Sequence, residues 1–315
     1  MRISVEDLGV RLATLVAPGT LVRLREPLAP HTTLRVGGAA DCYVQPRSEE
    51  DLAKVVRFCN ESGIPLFLLG RGSNLLIRDG GIRGVVVSLA DEAFGRIERM
   101  EERLRCGAGA KLRAVAQAAR EGGLGGLEFF EGIPGTVGGA LRMNAGAMGA
   151  WTYEVVESVR LMDRRGRITE CRRETLDVGY RQCRELREQI GLAAVLWGRL
   201  EPRERIEERR RGCNQRRWSS QPAAASAGCV FKNPAALPAG RLIDELGLKG
   251  CRVGGAVVSA VHANFIVNLG GATASDVLAL IEVVRDRARS ERGVELETEV
   301  EIVGDPAAAE ESCFQ

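Results

Sequence analysis

Residues 132–146 read Gly132-Ile133-Pro134-Gly135-Thr136-Val137-Gly138-Gly139-Ala140-Leu141-Arg142-Met143-Asn144-Ala145-Gly146, with four glycines in the first eight positions. Pro134 suits the first turn of a helix. A helix start offers unpaired N–H groups and about half a positive charge, which favours a diphosphate. Small side chains also let a large planar or phosphorylated ligand lie against the backbone. The plain alternative is a glycine-rich packing corner. A second glycine loop, Gly70-Arg71-Gly72-Ser73-Asn74, lies between the apolar runs 65–69 and 75–77. Successive N–H groups in such a turn form an anion nest, although a tight turn explains this loop alone. Neither loop is a GxGxxG fingerprint opening a helix, and no GKS or GKT occurs. Two such loops in one chain point to a nucleotide cofactor.

Working outward, 315 residues at about 150 per domain suggest about two domains. With 45% hydrophobic and 27% charged residues the chain is an ordinary globular one. A net charge of +2 excludes a whole-surface field for nucleic acid. Only His31 and His262 are present, too few for a poly-histidine metal site, so no metal is expected. Nine cysteines, an odd number with no CxxC, favour neither a disulfide framework nor a zinc ribbon. Scattered thiols suit the cytosol. The N-terminus does not read as a signal peptide. No stretch approaches the roughly 20 apolar residues of a membrane span.

Periodicity divides the chain. Residues 1–30 read as a short helix and a connector. Ser48 opens a helix whose apolar positions 52, 55, 56 and 59 continue to Gly63. Strands follow at 65–69, 75–77 and 84–87. A helix from 112 stops at Gly122-Gly123. Residues 159–163 and 167–171 read as a hairpin, and 194–200 as another strand. The charged stretch 202–217 reads as a solvated helix. A short helix at 241–246, a strand at 263–269, a helix from Ser275 to Gly293 and a last strand at 296–302 complete the pattern. The expected division is 1–90, 91–201 and 202–304, with a loose tail at 305–315.

Single residues carry less. Tyr180-Arg181 offers a guanidinium that forks onto a carboxylate, yet in an arginine-rich chain spacing alone says surface. Cys229 reads as a buried thiol. Glu299 shares a strand face with Glu297 and Glu301, the usual solvated row. His262 and Asn264 at a strand start read as caps. The run 209–217 reads as a helix face, with a diphosphate or nucleic-acid patch as its alternative.

Taken in order, GRGSNLLI at 70–77, GIPGTVGGALRMNAGAMG at 132–149, GCVFKNP at 228–234, AGRLIDELGLKG at 239–250 and HANFIVN at 262–268 resemble the UDP-N-acetylenolpyruvoylglucosamine reductase family, in the subtype lacking an extra tyrosine-bearing loop. The resemblance runs from His31 to Val300. It implies an α+β fold: a two-lobed FAD-binding domain (PCMH-type, vanillyl-alcohol-oxidase-like) and a C-terminal α/β substrate-binding domain. The lobes would be 1–90 and 91–201, and the substrate domain 202–304. It implies non-covalent FAD lined by Thr33, Arg35, Val36, Gly37, Gly70, Arg71, Gly72, Ser73, Asn74 and Leu75. Gly132, Ile133, Pro134, Gly135, Thr136, Gly138, Gly139, Asn144, Ala145 and Gly146 would complete that site.

The implied reaction passes a hydride from NADPH through FAD to the enolpyruvyl ether of UDP-N-acetylglucosamine enolpyruvate, giving UDP-N-acetylmuramate for peptidoglycan. The implied catalytic residues are Arg181, Cys229 and Glu299. Tyr180, Lys232, Asn233, Arg241, His262 and Asn264 would meet the substrate. The chain departs from the family at Cys229, where serine is usual, and at Glu301, where arginine is frequent; Arg216 or Arg217 would replace that cation. A thiol of pKa about 8.5 is mostly protonated near neutrality and can act as the general acid. A cytoplasmic enzyme with no nucleic-acid, membrane or obligate protein partner is expected. The alternatives are another FAD-dependent oxidoreductase of the same superfamily, or a nucleotide- or nucleic-acid-binding module.

Overall fold

The computed structural model describes residues 3–235 and 237–307. They form two compact units that alternate along the chain. Unit 1 holds residues up to 24, 42–71 and 84–217; unit 2 holds 25–41, 72–83 and the residues from 218 on. The chain thus passes from one unit to the other at 24/25, 41/42, 71/72, 83/84 and 217/218, whereas the sequence suggests consecutive lobes.

In unit 1, helix α1 (Val5–Leu15) is capped by Ser4, whose hydroxyl accepts the Asp7 N–H. Helix α2 (Glu49–Glu61) starts at Ser48 as expected, with the Ser48 hydroxyl accepting the Asp51 N–H. Leu8, Leu12, Leu52, Val55, Val56 and Val85 pack into one apolar cluster there. The residues after α1 contain a strand, Leu21–Pro27, where the sequence suggests only a connector. Its charged alternation, with three consecutive exposed residues, hides it from an apolar-pattern reading. Strand Leu66–Leu69 runs parallel to Ile82–Ser88, Leu66 opposite Val85.

After the short helix α3 (Glu92–Gly95) comes α4 (Leu112–Gly122), ended by Gly123 at φ 69°, the left-handed stop expected of it. Helix α5 (Val137–Met143) begins three residues after Pro134, with Thr136 as its cap. The expected 159–171 hairpin is strands Val156–Met162 and Ile168–Arg172. They join Ile190–Trp197, Arg103–Gly107 and Ile97–Met100 in a five-stranded antiparallel sheet. Leu104, Val115, Phe130, Leu141, Val159 and Leu196 form the cluster beneath it.

Helix α6 (Arg203–Ser220) buries only Ile206. Ion pairs hold it instead. Arg209 reaches Glu128 at 2.7 Å and Glu201 at 2.8 Å, and Arg210 reaches Glu131 at 2.9 Å. Glu128 and Glu131 are buried, so each carboxylate needs a cation. Arginines 209, 210 and 211 are therefore paired with glutamates rather than forming an open basic patch.

Unit 2 centres on Leu34, Val36, Leu76, Phe231, Ile243 and Leu280. It contains α7 (Ala239–Glu245) and α8 (Ala274–Arg292). Helix α8 ends at Gly293 with φ 64° and starts with a reciprocal Thr273–Asp276 cap. Asp79 reinforces that start: its carboxylate accepts the N–H groups of Ala274 and Ser275, each at 2.8 Å, and the Ser275 hydroxyl at 2.6 Å. The expected strand at 296–302 is shorter and shifted. Glu301–Val303 pairs in parallel with Leu75–Ile77, and only Thr298 of the preceding stretch bridges, to Phe231. The strand expected at 263–269 shortens to Ile266–Asn268. Of the expected tail, Asp305 bridges to Gly81, and residues 308–315 lie outside the described residues. No helix among the described residues is long and apolar enough to cross a membrane.

Two measurements follow. Asp79→Ala removes three acceptor contacts at a helix start and should cost about 2–3 kcal/mol, read as a lower urea midpoint; an unchanged midpoint would refute the remote cap. Hydrogen bonds from Arg210 and Arg211 hold the Glu207 carboxyl down to about 2. A depressed carboxyl stabilises fully above its ordinary range and loses that contribution as pH falls toward about 2. Glu207→Gln should therefore flatten the acid limb of a melting-temperature profile below about pH 4.5 and leave its shape near neutrality unchanged.

Candidate active site

Gly70, at the head of one glycine loop, approaches the start of α5 in the other inside unit 1. A Cβ placed on Gly70 would lie 3.2 Å from the Thr136 hydroxyl, and one on Gly139 would lie 3.7 Å from it. Gly70 and Gly139 are both exposed. Thr136 thus sits between two patches of bare backbone. Among the described residues, the N–H groups of Gly70 through Asn74 have no acceptor. The start of α5 is different: the Val137 and Gly138 N–H groups donate to Ala110 and Ala108, and the Gly139 N–H to the Thr136 hydroxyl. The donors open to an anion therefore belong to the 70–74 turn, not to a helix opened by Pro134. Positive charge gathers nearby in the same unit: burial and the fields of Arg113 and Arg71 lower the pKa of the Arg217 guanidinium, against the pull of Glu131. Bare backbone, unclaimed donors and guanidinium groups fit the diphosphate of a dinucleotide.

Other residues given to the cofactor serve packing. A Cβ on Gly138 would meet that of Ala108 at 3.1 Å. Gly37, at φ 116°, and Gly72, at φ 58°, would collide with Ile77 and Thr32. Val36 lies in the core of unit 2. Thr33 donates to the Gly72 carbonyl, and Arg35, at φ 59°, gives its N–H to the Thr32 hydroxyl. Asn144 ends α5 in a left-handed conformation. Its amide donates to the Gly179 carbonyl at 3.2 Å and accepts the Tyr153 N–H at 3.3 Å. The Ala145 carbonyl accepts the N–H and hydroxyl of Thr152.

Asn144 thereby anchors a small hairpin, Val178–Gly179 paired with Gln182–Cys183. Tyr180 and Arg181 are its two-residue tip, and Tyr180 is 56% exposed. The Arg181 guanidinium carbon lies 5.4 Å from the ring centroids of both Trp151 and Tyr180.

In unit 2 the segment carrying Cys229 is laid against the segment carrying Glu299. The Glu299 N–H donates to the Val230 carbonyl at 2.7 Å, and the Lys232 N–H to the Glu297 carbonyl at 2.9 Å. Asn74 donates to the Glu299 carbonyl at 3.2 Å, so the second glycine loop joins this group. Cys229 and Glu299 are both half-buried. Glu299 is therefore not part of a solvated row, although Glu297 is exposed and paired with Lys232 at 2.9 Å.

Asn264 is 2% exposed, and both ends of its amide are on Phe231: the oxygen accepts the Phe231 N–H at 2.9 Å and the nitrogen donates to the Phe231 carbonyl at 2.8 Å. Its own carbonyl accepts the Val230 N–H. The resemblance gives Asn264 a substrate contact; in the structure its amide clamps the segment after Cys229. His262 accepts the Asn264 N–H and stacks edge-on against Phe265. Asn233 caps α7 through the Ala239 N–H, and Arg241 pairs with Glu245 at 2.8 Å. The sequence reading missed Trp151 and the clamping role of Asn264, because neither follows from local period.

Residues 221–303 match the family profile described as the C-terminal domain of UDP-N-acetylenolpyruvoylglucosamine reductase, and residues 40–172 match an FAD binding domain. A UDP-N-acetylenolpyruvoylglucosamine reductase of Pelobacter propionicus is 49% identical over 89% of this chain and 95% of its own. One from Clostridioides difficile is 42% identical over 95% and 99%. The chain belongs to the UDP-N-acetylenolpyruvoylglucosamine reductase family. The crystal structure of the reductase (MurB) from Thermus caldophilus superposes with a TM-score of 0.79 at 38% identity, covering 90% of this chain and 99% of that one. The C-terminal reductase match includes the whole Cys229, Asn264 and Glu299 constellation.

Asn264→Ala leaves the buried backbone of Phe231 without partners. It should lower stability by about 2–4 kcal/mol in chemical unfolding. A loss below about 0.5 kcal/mol, the ordinary surface range, would remove the clamp from this account.

Proposed function

We propose that the chain reduces UDP-N-acetylglucosamine enolpyruvate to UDP-N-acetylmuramate with NADPH and non-covalently bound FAD, a step of peptidoglycan precursor synthesis. The observation that carries this reading is the pairing of the Cys229 and Glu299 segments within the reductase-matching region. When bound, FAD supplies hydride transfer from NADPH to the methylene carbon of the enolpyruvyl ether.

The chain's own residues then have defined tasks. Gly70 and Arg71, with Thr136 and Gly139, would hold the FAD diphosphate, and Gly72, Ser73 and Asn74 are assigned to the cofactor as well. Arg181 forks onto the substrate carboxylate, where negative charge develops as hydride arrives at the neighbouring alkene. Cys229 gives its thiol proton to the carbon bearing that carboxylate, completing the lactyl ether, and is reprotonated from water. Glu299, whose segment is paired with that of Cys229, is assigned as the acceptor that orients the thiol proton. Lys232 and Arg241 are exposed cations suited to the nucleotide phosphates. The division into lobes 1–90 and 91–201 and a substrate domain 202–304 belongs to this proposal; three apolar clusters accompany it, but Leu34, Val36 and Leu76 join that of residues 227–300, and Phe94, Ala108 and Ile190 join that of residues 8–89. A cytoplasmic location also belongs to it, supported by the absence of disulfides among the described cysteines.

The test is NADPH oxidation by the yellow holoenzyme with and without the enolpyruvyl nucleotide. Turnover should require the nucleotide. Cys229→Ser should keep substantial activity, while Cys229→Ala should lose about 10²–10⁴-fold with flavin retained, the range of a general acid. Wild-type turnover in Cys229→Ala would end the acid assignment, and a colourless protein would end the whole reading.

A further inference from the structure

Arg181 stands in an unusual backbone state. Its φ is 55°, at the second position of a two-residue turn, a place normally taken by glycine or asparagine. A left-handed conformation is disfavoured for a residue with a Cβ, so surrounding contacts must hold it there. The contacts are aromatic. Trp151 and Tyr180 meet edge to face, centroids 5.8 Å apart at 68°, and the guanidinium lies 5.4 Å from each. A cation over an indole face is the strongest of the side-chain cation–π pairs.

Trp151 is itself fixed. It pairs with Gly146 across a two-residue ladder, and its N–H donates to Glu154 at 3.0 Å. A Cβ on Gly146 would fall 2.5 Å from Trp151 Cε3 and 2.8 Å from Cδ2, so the indole lies directly on the bare Gly146 backbone. Asn144, two residues earlier, ties the same turn to Gly179 of the hairpin.

We infer that Trp151 is the positioning residue of Arg181, held flat by the missing side chain of Gly146, and that it aims the guanidinium at the substrate carboxylate. The inference rests on the role given to Arg181 above. Gly146, given by sequence to the cofactor, here serves the arginine. A guanidinium carries an N–H fork able to make two charge-assisted bonds to a carboxylate. The indole does not touch the reacting atoms.

The test compares Trp151→Leu, Trp151→Phe and Arg181→Ala as holoenzymes of verified flavin content. Loss of a cation–π contact of about 1–2 kcal/mol predicts a fall of about 5- to 30-fold in kcat/KM for Trp151→Leu. Trp151→Phe should recover most of it. The rate of flavin reduction by NADPH, and the Kd for UDP-N-acetylglucosamine, which lacks the carboxylate, should both stay within about twofold of wild type. A merely structural role would instead depress all three measurements together, and that result overturns the inference. Equal kcat/KM in Trp151→Leu and wild type overturns it too. If Arg181→Ala keeps wild-type turnover, the carboxylate role fails first and the positioning claim falls with it. If Arg181→Ala is inactive while Trp151→Leu is normal, only the positioning claim fails. Tryptophan fluorescence gives a reading that does not require the leucine variant to fold. The enolpyruvyl nucleotide, but not UDP-N-acetylglucosamine, should change emission in the wild type and not in Trp151→Phe. Persistence of that change in Trp151→Phe would overturn the inference.

Discussion

Main-chain hydrogen bonding of one short segment governs unit 2. Residues 297–303 lie between two others: Glu299 and Glu297 bond to Val230 and Lys232 on one side, and Glu301 to Asn74 on the other. Backbone donors and acceptors away from water must be paired, so this stitching cannot slide by a residue without orphaning several groups. It fixes Glu299 against the Cys229 segment and brings the 72–75 turn to the same place. Asn264 completes the arrangement from behind by closing both backbone groups of Phe231. The polar residues of the candidate site therefore stand on a hydrogen-bonded support.

The glycines divide into two kinds that a sequence motif does not separate. Gly37, Gly72, Gly138 and Gly146 are small because another part of the protein lies where a Cβ would be. Gly70 and Gly139 are small with only the Thr136 hydroxyl close by. Only the second kind leaves backbone uncovered for a ligand. A glycine-rich stretch is thus a statement about crowding and about access at once, and coordinates are needed to tell which applies.

Much of the fold was legible because it rests on local rules. Ser48 as a cap, and Gly123 and Gly293 as left-handed stops, depend on the nearest few residues. Apolar period also marked strands 66–69, 75–77 and 156–162. What escaped depends on distant partners. The strand Leu21–Pro27 carries charge on its open side, and the stretch before Glu301 has the alternation of a strand but only a short neighbour to pair with. Trp151 sits among small residues with no period of its own; its meaning comes from a hairpin tip nearly thirty positions away. Cys229 was visible as a departure from a family pattern, whereas Asn264 looked like a ligand contact because its amide is equally suited to clamping backbone.

The order in which a ribosome releases this chain has a consequence. Asn74 meets Glu299 across 225 positions, and Asp79 caps a helix 195 positions later. At roughly 5–20 residues per second, the early pieces of unit 2 wait about 10–45 s for their partners to be made. During that time Leu34, Val36 and Leu76, all buried in the finished core, are apolar surface with nothing to cover them. Nascent chains of this protein should therefore be clients for holding factors until the last helix emerges, and truncation near the C-terminus should send them to aggregation rather than to a smaller stable product.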